Sequence, residues 1–204
     1  MKLYNSVGPN PKAVRMFAAE LGTELELEKV DLRGGANRQE PFLSKNPAGQ
    51  LPCLELDDGT TIAEITAICE YLDDAAGHGS GLIGTTAEQR AETRMWTRRI
   101  DLGICEPMAA GFRYSEGLQL FQNRMRCLPE AADGLKACAQ DKLKWLDGQL
   151  AGKDFICGDR FSMADVVLFA FLEFGANVGQ PLDPELKNVG AWFERVKARP
   201  SATA

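Results

Sequence analysis

A change in hydrophobic period near residue 77 limits what this chain can fold into more than any other feature. Before it, short leucine- and valine-containing runs alternate with helical patterning; after it, every periodic stretch is helical. The Gly- and Ser-containing stretch from Ala75 to Thr86 interrupts the pattern and marks the boundary. The expected architecture is α/β plus all-α: residues 1–77 as a small α/β domain, 78–86 as a linker, and 87–204 as an all-helical domain. At 204 residues, 45% hydrophobic and 25% charged, the chain has the composition of an ordinary globular protein and can bury a full core.

Charge is divided unequally. Residues 1–77 carry 7 Lys+Arg against 13 Asp+Glu and the remainder 16 against 16, so the first segment holds the whole net charge of -6. That balance argues against a nucleic-acid partner, because affinity for phosphates comes from clustered Lys and Arg. No run approaches the 18 or so apolar residues of a membrane span, and the start of the chain lacks a long apolar stretch behind basic residues, so no membrane association is expected. The six cysteines, at 53, 69, 105, 127, 138 and 157, are scattered and form no Cys-x-x-Cys pair. They read as buried free thiols of a reducing compartment and point to a cytoplasmic protein. The single histidine, His78, lies in the linker stretch Gly77-His78-Gly79-Ser80-Gly81, which argues against a histidine metal site or a Ser-His-Asp triad. No metal is expected.

In the first segment, Lys2 to Asn5 is a strand. Asn10-Pro11 opens a helix whose Val14, Phe17, Ala18 and Leu21 recur at helical spacing, with Asn10 as N-cap and Gly22 as its stop. Leu25, Leu27, Val30 and Leu32 suggest a second, parallel strand, which places the first helix over one sheet face. Asp58-Gly59 between Cys53–Leu56 and Thr60–Ala63 is a hairpin signal, and a helix follows over about 64–73. Beyond the linker, helices are expected over 86–104, 118–126, 132–150, 163–174 and 185–198.

Asn46-Pro47-Ala48-Gly49-Gln50-Leu51-Pro52 is the most informative stretch. A proline entering a strand removes a ladder donor and can hold a cis bond, leaving nearby backbone to pair with a peptide-like ligand. Twelve residues on, Glu64 begins a helix whose free N–H groups attract a carboxylate while its own acid can receive an ammonium. The pair suits a zwitterion; equally, Pro52 can simply enter a strand and Glu64 satisfy the helix dipole.

In the order of these motifs the chain resembles the glutathione S-transferase superfamily almost end to end. Lys45 to Pro52 is similar to the family's loop ending in cis-proline, and Glu64-Ile65-Thr66-Ala67-Ile68-Cys69-Glu70-Tyr71-Leu72 to its Glu-Ser-x-Ala-Ile-x-x-Tyr-Leu helix. Gly158 to Asp165 resembles its capping-box and staple motif, and Ala191 to Ser201 its last helix. The resemblance implies a thioredoxin-like N-terminal domain that binds glutathione as co-substrate, a helical C-terminal domain that helps form an electrophile pocket, and a homodimer. It also implies that Leu51 backbone pairs with the cysteinyl part of glutathione, that Pro52 is the cis-proline, that Glu64 and the N–H of Ile65 hold the γ-glutamyl end, and that Gln50 lies near the glycyl end. Ile65 replaces the usual serine, so its hydroxyl contact is missing.

The family's catalytic Tyr, Ser or Cys falls in the local sequence Tyr4-Asn5-Ser6-Val7-Gly8-Pro9-Asn10-Pro11, where Gly8 stands at the serine position. Pro9-Asn10 resembles bacterial Nu-class members, in which an asparagine near the thiol is implicated. Asn10 is therefore the first candidate for thiol contact, Ser6 the second and Tyr4 the third. Trp96, Met108, Phe112, Arg113 and Tyr114 form a candidate electrophile pocket or, alternatively, a helix-packing stripe. Cys53 reads as structural. Three activities are compatible with the motifs: conjugation of glutathione to a small hydrophobic electrophile, glutathione-dependent disulfide reduction, and non-catalytic binding of glutathione as a scaffold module.

Overall fold

The computed structural model describes residues 1–77 and 79–204; His78, which the sequence assigns to the linker, lies outside the described residues. Strands β1 (Lys2–Asn5), β2 (Glu26–Lys29), β3 (Cys53–Glu55) and β4 (Thr61–Ala63) form one sheet in the order β2-β1-β3-β4. β1 and β2 run parallel, with Leu3 opposite Leu27, while β1–β3 and β3–β4 are antiparallel. Helices α1 (Pro9–Leu21) and α3 (Ile65–Ala75) belong to this unit, as does the one-turn α2 (Phe42–Lys45). The period-2 alternation of the strands sorts their side chains. Leu3 and Leu54 join Val14, Phe17 and Ile68 in the main core, while Tyr4 and Cys53 join Val30 and Phe42 in a smaller cluster. This is a thioredoxin-like domain followed by a helical one.

The helical unit comprises α4 (Ala87–Ile100), α5 (Glu106–Tyr114), α6 (Leu118–Phe121), α7 (Ala132–Gln149), α8 (Met163–Asn177) and α9 (Lys187–Lys197). α8 is buried over most of its length, as its apolar residues on every face require. Its start is the expected capping box: Asp165 reaches back to accept the Ser162 N–H at 2.9 Å. The main core runs without interruption from Leu3 to Ala202, because the buried face of α1 packs on α8. Lys12 of α1 pairs with Glu173 of α8, and Arg199 holds Glu20 through two hydrogen bonds of 2.8 and 2.6 Å.

Several sequence expectations are corrected. Of the six cysteines expected to be buried, Cys53, Cys69, Cys105 and Cys157 are, whereas Cys127 is half-buried and Cys138 is exposed. Asn10 is not the N-cap of α1: the helix begins at Pro9, and Gly8, with φ 123°, precedes it. Pro9 takes the first helical position, where a missing N–H costs nothing, so the start moves one residue upstream of Asn10. β2 ends at Lys29 and omits Leu25, Val30 and Leu32; as an edge strand it leaves Leu27 52% exposed. The helix expected to run to 104 stops at Ile100 and passes through a π-helical turn, Asp101–Cys105, into α5, which the periodicity did not reveal. Pro107 explains the break: its ring excludes an α-helical carbonyl at Gly103, and the wider turn accommodates it. The helix expected over 118–126 is the single turn of α6.

Candidate functional site

The loop from Asn46 to Pro52 is held by its own polar side chains. Asn46 donates from Nδ2 to the Gln50 carbonyl at 2.9 Å and accepts the Ala48 N–H at 3.1 Å. The buried Asn37 donates to the Gly49 carbonyl at 2.6 Å, and Arg38 to that of Ala48 at 3.1 Å. Gly49 has φ 61°, and a Cβ there would stand 2.8 Å from the Asn37 carbonyl oxygen, so only glycine fits. The loop thus delivers Leu51 to the start of the inner strand β3 through a cis Leu51–Pro52 bond. Among the described residues, the N–H and C=O of Leu51 make no hydrogen bond, and the Gln50 side chain is exposed and unpartnered. Unpaired backbone groups leading into β3 can pair with the backbone of an extended peptide.

Glu64 lies across the hairpin, one residue beyond Ala63, the partner of Cys53. It is the one non-glycine among the described residues with positive φ, at 68° with ψ 122°, and such backbones persist where surrounding structure enforces them. Its carboxylate is exposed and makes no hydrogen bond or ion pair among the described residues. The following residue, Ile65, opens α3, so its N–H is one of the unpaired donors of a helix start. A carboxylate and a helix N-terminus side by side match the ammonium and carboxylate of an amino-acid end group.

The three candidate thiol contacts lie on β1 (Tyr4), in the following loop (Ser6) and in the first turn of α1 (Asn10), and the structure separates them. The Tyr4 hydroxyl donates to Glu55 Oε2 at 2.6 Å, and Lys45 pairs with the same carboxylate at 3.0 Å. That bond to Glu55, with burial, pushes the Tyr4 phenol up to about 12. Tyr4 is committed to the sheet's outer cluster, where its ring meets Phe42 edge-on at 5.8 Å. Ser6 is buried, and its hydroxyl donates to the Val30 carbonyl at 3.3 Å. Asn10, in the first turn of α1, is half-buried and its amide has no partner among the described residues. Burial pushes the Cys53 thiol up, and its nearest acceptor, the Lys45 carbonyl, is 4.0 Å away, so it is a packing residue.

The expected electrophile pocket is dispersed. Met108 is fully buried, and a Cβ added to Gly175 of α8 would stand 3.1 Å from its sulfur, so it packs between helices. Arg113 is engaged by Glu106 at 2.8 Å. Trp96 lies against Trp145 of α7 rather than with the others. Phe112 and Tyr114 end α5, where Phe112 meets Phe174 edge-on at 5.1 Å and Phe121 at 6.1 Å. Sequence reading missed Phe121, Phe174 and Arg124, which sit on elements far apart in the chain; Arg124 bridges to the α/β unit through the Arg33 carbonyl at 3.1 Å. A cavity of about 430 Å³ opens instead between α3 and α4, lined by Thr66, Glu70, Arg94, Met95, Arg98 and Asp101 among others. Burial pushes the Asp101 carboxyl up, with the negative charges of Glu106 and Glu64 adding to it. Among the described residues no group of three or more His, Cys, Asp or Glu side chains could hold a metal ion, and no helix is long and apolar enough to cross a membrane.

Residues 1–74 match the model of the glutathione S-transferase N-terminal domain, and residues 129–195 that of the C-terminal domain. Glutathione S-transferase 2 of Saccharomyces cerevisiae is 34% identical over 209 residues, covering 98% of this chain and 87% of the relative. The chain belongs to the glutathione S-transferase superfamily. Solved transferase structures superpose over nearly the full length. Gtt2 from Saccharomyces cerevisiae gives a TM-score of 0.93 at 32% identity, covering 100% of this chain and 99% of that one. A glutathione S-transferase domain-containing protein from Marinobacter aquaeolei gives 0.92 at 37%, covering 98% and 99%. A transferase fold therefore surrounds the Leu51 backbone and the Glu64 turn, the two features that do not depend on which residue contacts the thiol.

Proposed function

We propose that this protein is a glutathione transferase that joins the sulfur of glutathione to a small hydrophobic electrophile, a detoxifying type of reaction. The observation that carries the reading is the unpaired Leu51 backbone facing the same unit as the strained, unpartnered Glu64 at the start of α3. Residues 1–77 bind glutathione, 78–86 connect, and 87–204 supply the electrophile side. The cysteinyl backbone of glutathione pairs with Leu51 beside Pro52, Glu64 takes the γ-glutamyl ammonium, the N–H of Ile65 takes its carboxylate, and Gln50 approaches the glycyl end. The missing serine hydroxyl at Ile65 leaves only a backbone donor there.

Glutathione brings the nucleophile, so the protein need only favour thiolate over thiol. The thiol proton passes to solvent, the sulfur forms a bond to the electrophilic carbon, and a leaving group departs with its electron pair. Asn10 is supported as the residue that favours the thiolate by its unpartnered amide at the positive end of α1. A hydrogen bond to a charged acceptor is worth about 1.5 to 3 kcal/mol, and about 1.36 kcal/mol shifts a pKa by one. Asn10 therefore lowers the thiol by roughly one to two units from the ~8.5 of a free cysteine. Ser6 is the second donor, available once its long bond to Val30 is given up. The electrophile side is taken to be the end of α5, supported by Phe112 with its ring contacts to Phe121 and Phe174; Tyr114 and Arg113 flank it and Met108 packs behind.

The protein works as a cytoplasmic homodimer in this reading. Met95 and Leu102, 41% and 52% exposed at i and i+7 beside the α3–α4 cavity, support that flank as the face for the second copy. Sedimentation should give twice the 22.3 kDa of one chain. The decisive experiment is a titration of the bound thiol by its thiolate absorbance, with wild type and Asn10→Ala. The expected result is glutathione binding at millimolar concentration or tighter and a thiol pKa higher by about one to two units in the variant. Absence of binding refutes the function; an unchanged pKa refutes the role of Asn10. Pro9-Asn10, with no serine at the Gly8 position, leaves disulfide reduction as the second reading, and faster turnover of hydroxyethyl disulfide than of a chloronitrobenzene would favour it.

A further inference from the structure

The loop from Asn46 to Pro52 is closed at its base by side chains that lie outside it. Lys45, the last residue of α2, meets the Glu55 carboxylate of β3 through its ammonium at 3.0 Å. Its carbonyl accepts the Thr61 hydroxyl of β4 at 2.8 Å. Glu55 and Thr61 stand opposite one another in the β3–β4 ladder, so Lys45 grips one rung of the hairpin from both strands. Glu55 is fixed in turn from β1, where the Tyr4 hydroxyl donates to the same carboxylate oxygen at 2.6 Å.

From this rung the chain runs to both proposed glutathione contacts. Lys45 leads into the buried Asn46, whose side chain holds the Gln50 carbonyl and the Ala48 N–H and so sets the course of the chain to Leu51. The loop leaves through Pro52 into Cys53, two residues before Glu55, and Thr61 stands three residues before Glu64. A loop pinned at both ends has little freedom left to lose when a ligand pairs with it, so the pinning is felt as affinity. We propose that Glu55 is a positioning residue for glutathione: acting through Lys45, it holds the Leu51 backbone and the Glu64 turn at the separation that one tripeptide spans. This deepens the transferase reading and rests on it. Simple electrostatics has the opposite sign. Glutathione, with two carboxylates and one ammonium, is a net anion, so deleting the Glu55 charge and releasing the Lys45 ammonium would tighten its binding by field alone.

The test is calorimetry of the full chain with glutathione. Glu55→Gln should weaken binding by about three- to tenfold, the cost of ordering a few groups that were ordered before. Turnover at saturating glutathione and the pKa of the bound thiol should stay as in wild type, a split that a general loss of structure would not give. Lys45→Met should lose the same factor, and the double variant no more than either alone, because the two act as one unit. Thr61→Val alters no charge and should weaken binding at least twofold, which covers the case in which the Glu55 variant does not fold. Unchanged or tighter binding in Glu55→Gln overturns the proposal, as do additive losses in the double variant. A loss in Lys45→Met alone would put Lys45 on the ligand itself and also overturn it. Hydrogen–deuterium exchange without ligand separates this from the transferase reading. The Ala48 and Gly49 amides, bonded to the Asn46 side chain at 3.1 Å and to its carbonyl at 2.8 Å, should exchange faster in Glu55→Gln while α8 is unaffected. If the wild type binds no glutathione, the transferase reading fails, and exchange alone decides whether Glu55 holds the loop; equal rates overturn that in either case.

Discussion

Removing the carboxylate of Asp165 should damage this protein more than any surface ion pair. Asp165 is fully buried and accepts four hydrogen bonds. Oδ1 takes the Ile156 N–H at 2.9 Å and the Trp192 Nε1–H at 2.7 Å; Oδ2 takes the Ser162 N–H at 2.9 Å and the Ser162 hydroxyl at 2.8 Å. In Asp165→Ala the serine hydroxyl can turn elsewhere, but three N–H donors are fixed and left buried, each costing about 1 to 3 kcal/mol. Relief of the carboxylate's own burial offsets part of this, leaving a loss of about 3 to 5 kcal/mol, or roughly 6 to 20 °C in Tm for a chain of this size. Asp165→Asn should lose less, about 2 to 3 kcal/mol: its amide can sit at the Oδ2 position, where Ser162 reorients and one N–H is left facing a donor. Trp192→Phe removes a single donor and leaves three, at a cost of about 1 kcal/mol. Urea denaturation at one protein concentration measures the series. Asp165→Ala losing no more than Trp192→Phe would refute the hydrogen-bond account.

Glu64→Gln keeps the turn but removes the charge offered to an ammonium. Glutathione affinity should fall about five- to thirtyfold by calorimetry, on the order of 1 to 2 kcal/mol for an exposed charge-assisted contact, with little change in Tm. The Glu20–Arg199 contact predicts a pH dependence. Burial pushes the Glu20 carboxyl up, but the Arg199 guanidinium and the Ser201 hydroxyl together hold it below its ordinary 4.5. A lowered folded-state pKa contributes stability that is full above the unfolded value and lost as pH falls through the folded one. Wild type should therefore exceed Glu20→Gln by about 1 kcal/mol at pH 7, a difference that shrinks below pH 4.5 in parallel urea titrations; a constant difference would contradict the assignment. Residues 1–77 expressed alone should show no cooperative thermal transition by circular dichroism, because Ala13, Met16 and Phe17 would lose the cover that closes the main core.

The parts of the fold visible in the sequence are those fixed by local chemistry. Asp58-Gly59 makes the β3–β4 hairpin, Gly22 ends α1 in the left-handed region, and Ser162 with Asp165 starts α8. The parts that escaped depend on neighbours distant in the chain. Leu27 alternates as a buried strand residue should, yet no strand covers it. The helix expected over 86–104 ends at Ile100, and a π turn carries the chain into α5, whose first turn holds Pro107. The site divides in the same way. The polar loop around Asn46 and the Glu64 turn are short-range constructions, legible from motif and spacing. The aromatic contacts of Phe112 with Phe121 and Phe174 join three helices, and no local period signals them.

The continuous core also explains how a site made chiefly of backbone groups can be held in register. α1 carries Asn10 on its first turn and, one residue later, buries Pro11 and the face that packs on α8. Lys12 then ties the same turn to Glu173. The distance from Asn10 to the Leu51 backbone is thus set from two sides, by the sheet under α1 and by the buried helix α8 beside it. With two anchors, the unpartnered Asn10 amide need not be fixed by a hydrogen bond of its own and stays available to a ligand. Ser6 and Tyr4 differ in this respect: lying on the strand end and its exit, they are positioned by direct bonds to Val30 and Glu55, which occupy the protons a thiolate would need.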